Sequence, residues 1–200
     1  MSTRLLRLGL AAVILAVGVG ALGVIALRGA TRTEARTHVN VEVVEIGSRF
    51  VFDETPVFDD DGYPAYGGEF VTQGYIYPAG TLQPGHDGIN ADGSPEYPDA
   101  VIGIWTCRGW HIGDGAHSVG QPWVATTQIF AFDGPTDFDQ KGMSTIVSDG
   151  IELPDPGVVV RRAITGGTGT YFHASGEQVQ SLVDFNETLG VILRVDLVVD

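Results

Sequence analysis

The feature that most constrains the fold of this chain is a repeated alternation of strand-like segments with tight-turn chemistry. From about residue 40 to residue 199, segments that are apolar or alternate in polarity are separated by clusters of Gly, Pro and Asp, such as "DGPTDFDQKG", "LPDPG" and "GGTG". No part of this region carries an apolar stripe with helical spacing that is long enough for a substantial helix. The pattern therefore predicts an all-β domain with tight turns.

Eight segments fit the strand pattern, and their number and length favour a closed barrel over a two-layer sandwich. The segments are 40–53, 69–77, 100–112, 122–132, 143–152, 157–165, 170–184 and 188–199. Eight antiparallel strands can close around an interior that holds side chains or one small ligand. We predict an eight-stranded antiparallel β-barrel, with the long polar connection at 78–100 lying over one end of it.

The amino-terminal region has a different character from the rest of the chain. Residues 8–27 form a run of twenty uncharged residues, "LGLAAVILAVGVGALGVIAL", which is long enough to cross a bilayer as a helix. The run is longer than the apolar core of a cleavable signal peptide, and no good cleavage site follows it. We therefore predict an N-terminal membrane anchor at 1–30, a polar tether at 31–38 and the barrel domain at 39–200.

Arginines lie on both sides of the apolar run, so the side of the membrane that carries the domain is only weakly indicated as extracytoplasmic. The chain has 11 basic and 25 acidic residues, and the first 37 residues contain five arginines and one glutamate. The remainder thus carries 6 basic against 24 acidic residues, which argues against a nucleic-acid partner. The single cysteine, Cys107, excludes an intrachain disulfide and is expected to be a buried apolar residue.

The glycine-rich stretch "ITGGTGTYFHASGEQV" at 164–179 does not have the spacing of a phosphate-binding loop. Phe172 stands where a dinucleotide-binding fingerprint needs its third glycine, and no Lys-Ser/Thr pair follows to make a P-loop. The residues after the glycines lack helical periodicity. We expect the glycines to join two strands.

The order of several segments resembles the allene oxide cyclase and dirigent-protein barrel superfamily over roughly residues 39–199. The segments are "FDETPVFDDDG" (52–62), "GGEFVTQGYIY" (67–77), "QPWVATTQIFAFDG" (121–134) and "VVRRAITGGTGTYFHASGE" (159–177). The most specific element is the Gly-Gly-Thr-Gly-x-Tyr-x-x-Ala-x-Gly pattern that begins at Gly166. The aspartate-rich turn is similar to that of bacterial members, among them actinomycete polyketide cyclases that form spirotetronate rings.

This resemblance implies a cofactor-free and metal-free cyclase or isomerase. Such a barrel folds a linear unsaturated polyketide or lipid-like substrate in an apolar lumen and promotes ring closure by holding the reacting ends together. The alternative is a barrel at the cell envelope that binds a hydrophobic ligand or steers a reactive intermediate without a reaction of its own. Related barrels associate, so a homodimer or homotrimer is also implied.

Strand alternation supplies the candidate site residues, although sequence alone does not show which face of each strand lines the lumen. Glu45 shares its face with valines, and one of the adjacent Arg161 and Arg162 should point inward, with Glu45 or Glu69 as its partner. The predicted catalytic residues are Glu45, Tyr75, Arg161 and Arg162. The predicted substrate-binding residues are Trp105, Tyr77, Gln73, Gln178 and Phe172. His111, Asp114 and His117 are predicted to lie in a solvent-exposed loop rather than to bind a metal.

Overall fold

A computed structural model of the chain describes residues 36–52, 66–113, 121–132 and 144–200. Within these ranges the chain forms nine strands. They are β1 (Thr37–Glu45), β2 (Val51–Phe52), β3 (Glu69–Pro78), β4 (Gly103–His111), β5 (Val124–Phe132), β6 (Ser144–Glu152), β7 (Val159–Thr168), β8 (Gly176–Phe185) and β9 (Val191–Val199).

Eight of these strands close into an antiparallel barrel, which confirms the predicted fold. The hydrogen-bonded order is β1, β9, β8, β7, β6, β5, β4 and β3, and β3 pairs with β1 to complete the ring. The short β2 continues along β3 where β1 stops, because β1 ends with Glu45 opposite Gly74 and β2 pairs with Phe70 and Val71. The predicted strand at 40–53 is therefore two strands in the structure.

A close approach of backbone at Gly47 accompanies the break between β1 and β2. A short 3₁₀ turn, Gly47–Arg49, separates the two strands. A Cβ atom on Gly47 would lie 1.8 Å from the carbonyl oxygen of Thr188, in the turn between β8 and β9. Only glycine fits there, since no side chain tolerates such a distance.

The glycine-rich stretch forms the corner between β7 and β8, as predicted. β7 ends at Thr168, a short 3₁₀ turn follows at Gly169–Tyr171, and β8 begins at Gly176. Gly169 has a positive φ of 59°, a conformation that favours glycine. The ring of Tyr171 lies 5.5 Å from that of Phe132. This corner therefore packs on the barrel end at which β5 finishes, which we call the closed end.

The lumen is divided along its length into a filled half and a hollow half. Towards the closed end, large apolar side chains occupy the interior and are buried, among them Ile76, Phe130, Ile146 and Leu197. Towards the opposite end, which we call the open end, aromatic and aliphatic side chains are joined by polar residues. The candidate functional site lies in this second half.

The long connection between β3 and β4, residues 79–102, lies on the outer wall of the barrel, and we call it the strap. It does not cover an end of the barrel, where the sequence placed it. Ile89 of the strap belongs to a second buried apolar cluster with Val44, Tyr75, Tyr77 and other residues on the outer face of β1, β3 and β4. The Tyr77 hydroxyl donates to Gly88 O at 2.6 Å and the Tyr75 hydroxyl donates to Gly93 O at 3.0 Å.

The predicted membrane anchor and most of the predicted tether lie outside the described residues, so the anchor stays a prediction. In the part of the chain that the structure describes, no helix is long and apolar enough to cross a bilayer. β1 begins at Thr37, two residues before the predicted start of the barrel domain.

Candidate functional site

A cavity occupies the open half of the lumen, and side chains from most of the strands line it. Its apolar lining comes from Phe50, Phe70, Trp123, Val124, Leu153, Val158, Val160, Leu182, Val191 and Leu193. Its polar lining comes from Glu45, Thr72, Trp105, His111, Glu152 and Gln180. The combination of an apolar wall with a few inward polar groups is typical of small-molecule sites.

The cavity is small for a ligand pocket. Its volume is about 60 Å³, roughly the share of two molecules in liquid water, whereas pockets for drug-sized ligands span about 300–1,000 Å³. Val158, which lines the cavity, is 43% exposed, so the lining reaches the surface of the protein. A ligand larger than a few atoms requires the side chains at this rim to move.

Glu45 enters the cavity from the end of β1 and is held in place by the turn between β8 and β9. The backbone N–H of Val191 donates to Glu45 Oε2 at 2.7 Å, and the Asn186 side-chain amide donates to the Glu45 carbonyl oxygen at 2.7 Å. Burial raises the pKa of Glu45, hydrogen bonds from the Thr72 hydroxyl and the Val191 N–H oppose this, and the negative charge of Glu152 raises the pKa further. The net effect is a raised pKa, so the cavity shifts this carboxyl group towards its neutral form.

Glu152, at the end of β6, is the second carboxyl group of the cavity, and several donors fix it. Its Oε1 accepts hydrogen bonds from Thr126 Oγ1 at 2.6 Å, from Gln128 Nε2 at 3.0 Å and from Arg162 Nη1 at 3.4 Å. Its Oε2 accepts one from Gln180 Nε2 at 3.2 Å. Hydrogen bonds of this number compensate a carboxylate for the loss of water.

Arg162 lies behind Glu152, and its guanidinium group is fully buried. Nη2 donates to Thr126 O at 2.9 Å and to Ser148 O at 3.3 Å, and Nε donates to Ser148 Oγ at 3.2 Å. One arginine of the adjacent pair thus points inward, but its partner is Glu152 rather than Glu45 or Glu69. Arg162 is not among the residues that line the cavity.

The placement of Arg161 at the site was wrong. Arg161 points outward, where its exposed guanidinium pairs with Glu177. Glu69, the other suggested partner for the inward arginine, also points outward and accepts a hydrogen bond from Trp110 Nε1 at 3.0 Å. Both pairs lie on the outer surface of the barrel.

His111 lies at the end of β4 and is almost completely buried, with 1% of its surface exposed. The predicted exposed loop was therefore wrong for this residue, while Asp114 and His117 lie outside the described residues. His111 Nδ1 lies 3.1 Å from the carbonyl oxygen of Gly68, and the ring packs against Phe70 and Trp123. Burial lowers the pKa of His111, so the neutral imidazole is favoured.

Two polar atoms of cavity-lining residues, Trp105 Nε1 and His111 Nε2, are buried and have no hydrogen-bond partner among the described residues. A buried polar group without a partner costs about 1–3 kcal/mol, and native proteins keep few of them. Their convergence on one cavity is the strongest sign in the described structure of a site for a ligand or for water.

Three residues predicted to line the lumen lie on the outer face of β3 instead. Gln73 accepts a hydrogen bond from Arg49 Nη1 at 2.9 Å, and its Nε2 lies 3.3 Å from Thr106 Oγ1. Tyr75 and Tyr77 lie under the strap. The inward face of β3 is formed by the alternate residues, including Phe70, Thr72 and Ile76.

The two predicted substrate-binding residues around the β7–β8 corner also lie outside the cavity. Phe172 is 69% exposed in the corner itself. Gln178 does point into the lumen, but it lies deeper than the cavity, where Nε2 donates to Gln128 Oε1 at 2.7 Å. Cys107 is buried as expected, and burial raises the pKa of its thiol well above the ordinary value, which makes it a poor nucleophile.

Of the predicted residues, Glu45 and Trp105 line the cavity, and the sequence interpretation missed Thr72, His111 and Glu152. The alternation contained a usable signal for Glu152, because it shares its parity with the buried Ile146 and Ser148 of the same strand. His111 likewise shares its parity with Trp105 and Cys107. For Thr72 the sequence pattern does not indicate the inward face, because both faces of β3 carry apolar residues.

Comparison with known proteins gives a result at the level of structure only. No protein-family model matches the chain, and no curated protein sequence matches it. The pterocarpan synthase dirigent protein PsPTS1 is similar in structure, with a TM-score of 0.57 and 17% sequence identity over 83% of this chain and 95% of that one. The pterocarpan synthase dirigent protein GePTS1 gives a TM-score of 0.54, with 17% identity over 83% of this chain and 88% of that one.

A third structure, pyocyanin demethylase, is more distant, with a TM-score of 0.47 and 10% identity over 80% of this chain and 100% of that one. Identities at this level establish a shared fold and leave function open. The chain therefore has the eight-stranded barrel fold of the two dirigent proteins.

Proposed function

We propose that this barrel binds a small, largely apolar molecule at its open end and that the polar groups of the cavity orient it. The observation that supports this most is the presence of two unpartnered polar atoms, from Trp105 and His111, in residues that line a cavity with apolar walls. A ligand that supplies their hydrogen bonds recovers the free energy that these atoms cost the empty protein.

A cofactor-free cyclase or isomerase is the more specific proposal, and Glu45 supports it. A neutral carboxyl group in an apolar site can donate a hydrogen bond or a proton to a carbonyl or enol oxygen, while the barrel walls hold the reacting ends of a flexible chain together. The sequence resemblance to polyketide cyclases adds ring closure of an unsaturated polyketide or lipid-like substrate. Two proteins named as pterocarpan synthases have this fold, so the fold is compatible with synthase chemistry.

Binding or steering without catalysis is better supported than catalysis at present. Of the four residues predicted to be catalytic, only Glu45 lines the cavity, since Tyr75 and Arg161 face outward and Arg162 lies behind Glu152. The small volume of the cavity also suits the polar end of a ligand rather than a whole polyketide. We therefore place binding first and catalysis by Glu45 second.

The proposed anchor would keep the barrel close to a membrane, where an apolar ligand concentrates. The run at 8–27 is the basis of this proposal. The proposal also includes an extracytoplasmic location, which the sequence indicates only weakly, and assembly as a homodimer or homotrimer. Both rest on sequence interpretation alone.

Native mass spectrometry of the full-length chain from its own host tests the binding proposal. We expect a co-purified small molecule in the unmodified protein, and we expect Val160→Phe, which fills the cavity, to lose it. Val159→Phe is the matched control, because Val159 is the next residue and faces outward with 58% exposure. Equal retention by both variants, or no small molecule in any sample, would contradict the proposal.

Catalysis is tested by adding the full-length chain to extracts of a host strain from which its gene has been deleted. The expected product has the mass of its precursor and a different retention time, and Glu45→Gln should not form it. A precursor that binds but is returned unchanged would leave the barrel as a binding or steering protein.

A further inference from the structure

The partner of His111 Nδ1 determines which ring nitrogen of His111 donates a hydrogen bond and which accepts one. A carbonyl oxygen only accepts, so the contact between His111 Nδ1 and Gly68 O at 3.1 Å places the imidazole proton on Nδ1. In the neutral ring, Nε2 then carries a lone pair and can only accept a hydrogen bond. This atom is buried, belongs to a cavity-lining residue and has no partner among the described residues.

The rest of the polar lining defines what kind of donor would satisfy His111. Trp105 Nε1–H can only donate, so the lining combines an unpaired acceptor with an unpaired donor. Two carboxyl groups, Glu45 and Glu152, line the same cavity, and among the described residues no lysine or arginine does. The cation nearest to Glu152, Arg162, is already paired with it, so the described lining offers an anionic ligand no free cation.

From these observations, and resting on the proposed function, we propose that His111 selects an uncharged ligand that carries a hydroxyl group, which donates its proton to His111 Nε2 in a hydrogen bond. His111 is thus a specificity-determining residue for an alcohol or enol. A ketone of the same shape leaves His111 without a donor, and a buried group left unpaired discriminates against such a ligand.

Cyclohexanol and cyclohexanone are matched probes for this proposal, because both carry one oxygen on a six-carbon ring and only the alcohol has a hydroxyl proton to donate. Both are titrated into the full-length chain while the ¹⁵N signal of His111 Nε2 and the backbone amide signals of the cavity-lining residues are followed by NMR. We expect both probes to shift the amide signals and only the alcohol to shift the Nε2 signal. We also expect the alcohol to bind about threefold to tenfold more tightly, the range that one net hydrogen bond provides.

Two variants separate the role of His111 in selection from its role in packing. His111→Phe keeps an aromatic ring against Phe70 and Trp123, and it should remove the preference for the alcohol while leaving the affinity for the ketone unchanged. His111→Gln, which restores an acceptor near the position of Nε2, should recover part of the preference. Trp110→Phe is the control, since Trp110 is 52% exposed on the outer face. The Nε2 signal of the unmodified protein needs no variant and keeps the test valid if one does not fold.

The outcomes distinguish this inference from the proposed function. Equal affinities for the two probes, or a preference that survives in His111→Phe, would overturn the role of His111 and leave ligand binding intact. Tighter binding of cyclohexanecarboxylate or cyclohexylammonium than of cyclohexanol would overturn the requirement for an uncharged ligand. Absence of any shift of the cavity-lining amide signals with all four probes would contradict ligand binding at the cavity, and the selection by His111 would fail with it.

Discussion

The closed half and the open half of the lumen are built from the same strands, but their side chains have opposite effects on stability. In the closed half, apolar residues such as Phe130, Ile146 and Leu197 are fully buried and pack against one another. In the open half, Trp105 and His111 bury polar atoms that have no partner among the described residues. The first arrangement lowers the free energy of the folded chain, and the second raises it.

A belt of hydrogen-bonded polar residues separates the two halves. Gln128 and Gln180 are joined by a hydrogen bond of 3.0 Å, and both donate to Glu152, which Arg162 supports from behind. The belt is almost completely satisfied, in contrast to the cavity above it. The difference teaches that burial of polar groups in this barrel is not costly when they are paired. The unpaired buried atoms of the described residues include Trp105 Nε1 and His111 Nε2 of cavity-lining residues and Gln178 Oε1, which lies deeper in the lumen.

The largest effect should come from removing the cation of the belt. Arg162→Met leaves Glu152 buried without its charged partner, and we expect a loss of about 3–5 kcal/mol in the free energy of unfolding. Arg161→Met is the matched control: it also removes one positive charge, but from an exposed pair with Glu177, and should cost less than about 1 kcal/mol. Urea denaturation measures both. Similar losses in the two variants would contradict the stabilising role of the buried Arg162–Glu152 pair in the belt.

Two threonine substitutions in the lumen should give the next largest effects. Thr126→Val removes the donor at 2.6 Å from Glu152 and should lower the free energy of unfolding by about 1–3 kcal/mol. Thr72→Val removes the hydroxyl that hydrogen-bonds the Glu45 carboxyl group and should lower it by about 0.5–1.5 kcal/mol. The same denaturation experiment compares them. A gain of stability in Thr72→Val would mean that its hydroxyl makes no net hydrogen bond to Glu45.

Smaller effects should follow from loosening the strap, and these should not reach the cavity. Tyr75→Phe and Tyr77→Phe each remove one hydrogen bond to the strap and should cost about 0.5–1.5 kcal/mol of stability. Neither should change ligand affinity, because both side chains lie outside the lumen. Tyr66→Phe, at a tyrosine that is 73% exposed, is the control. A change of affinity in Tyr75→Phe would restore the original placement of Tyr75 at the site.

The contribution of Glu45 to stability should change with pH in the opposite direction to that of carboxyl groups on the outer surface. Burial raises the pKa of Glu45 above the ordinary value of 4.5, so the folded state binds this proton more tightly than the unfolded state. The contribution of Glu45 is therefore greatest below pH 4.5 and declines as the pH rises through the raised folded pKa. Glu45→Gln should remove that decline, so its stability relative to the unmodified protein should increase with pH over this window.

Asp149 provides the opposite case for the same measurement. Hydrogen bonds from Thr127 and Thr165 lower the pKa of Asp149 below its ordinary value of 3.8. Its contribution is present above that value and is lost as the pH falls through the lowered folded pKa. Asp149→Asn should therefore reduce acid sensitivity, and identical pH profiles for the two variants would contradict the distinction.

Most of the fold could be predicted from the sequence because turn chemistry fixes the ends of the strands locally. The predicted segment 122–132 corresponds to β5 at Val124–Phe132, and the predicted glycine corner joins β7 to β8. The break between β1 and β2 could not be predicted, since it coincides with a contact between Gly47 and Thr188 that are far apart in the sequence. Local patterns carry no information about such a contact.

The site could be predicted only in part, because alternation identifies the inward face only where the two faces differ. In β7, Val159, Arg161 and Ala163 alternate with Val160, Arg162 and Ile164, and the two sets are nearly equal in composition. In β3 the strap buries the outer face as well, so Tyr75, Ile76 and Tyr77 are all buried in succession. Glu45 was placed in the lumen because its own face is otherwise made of valines.

The position of β1 in the ring bears on how the chain reaches its folded state. β1 lies between β3 and β9, so the first of the described strands has the last of them as one of its two neighbours. Loop closure over such a separation is slow, and until it happens β1 has one edge without a partner. The seam between the first strand and the last is thus where misassembly would begin, and its closure completes the barrel.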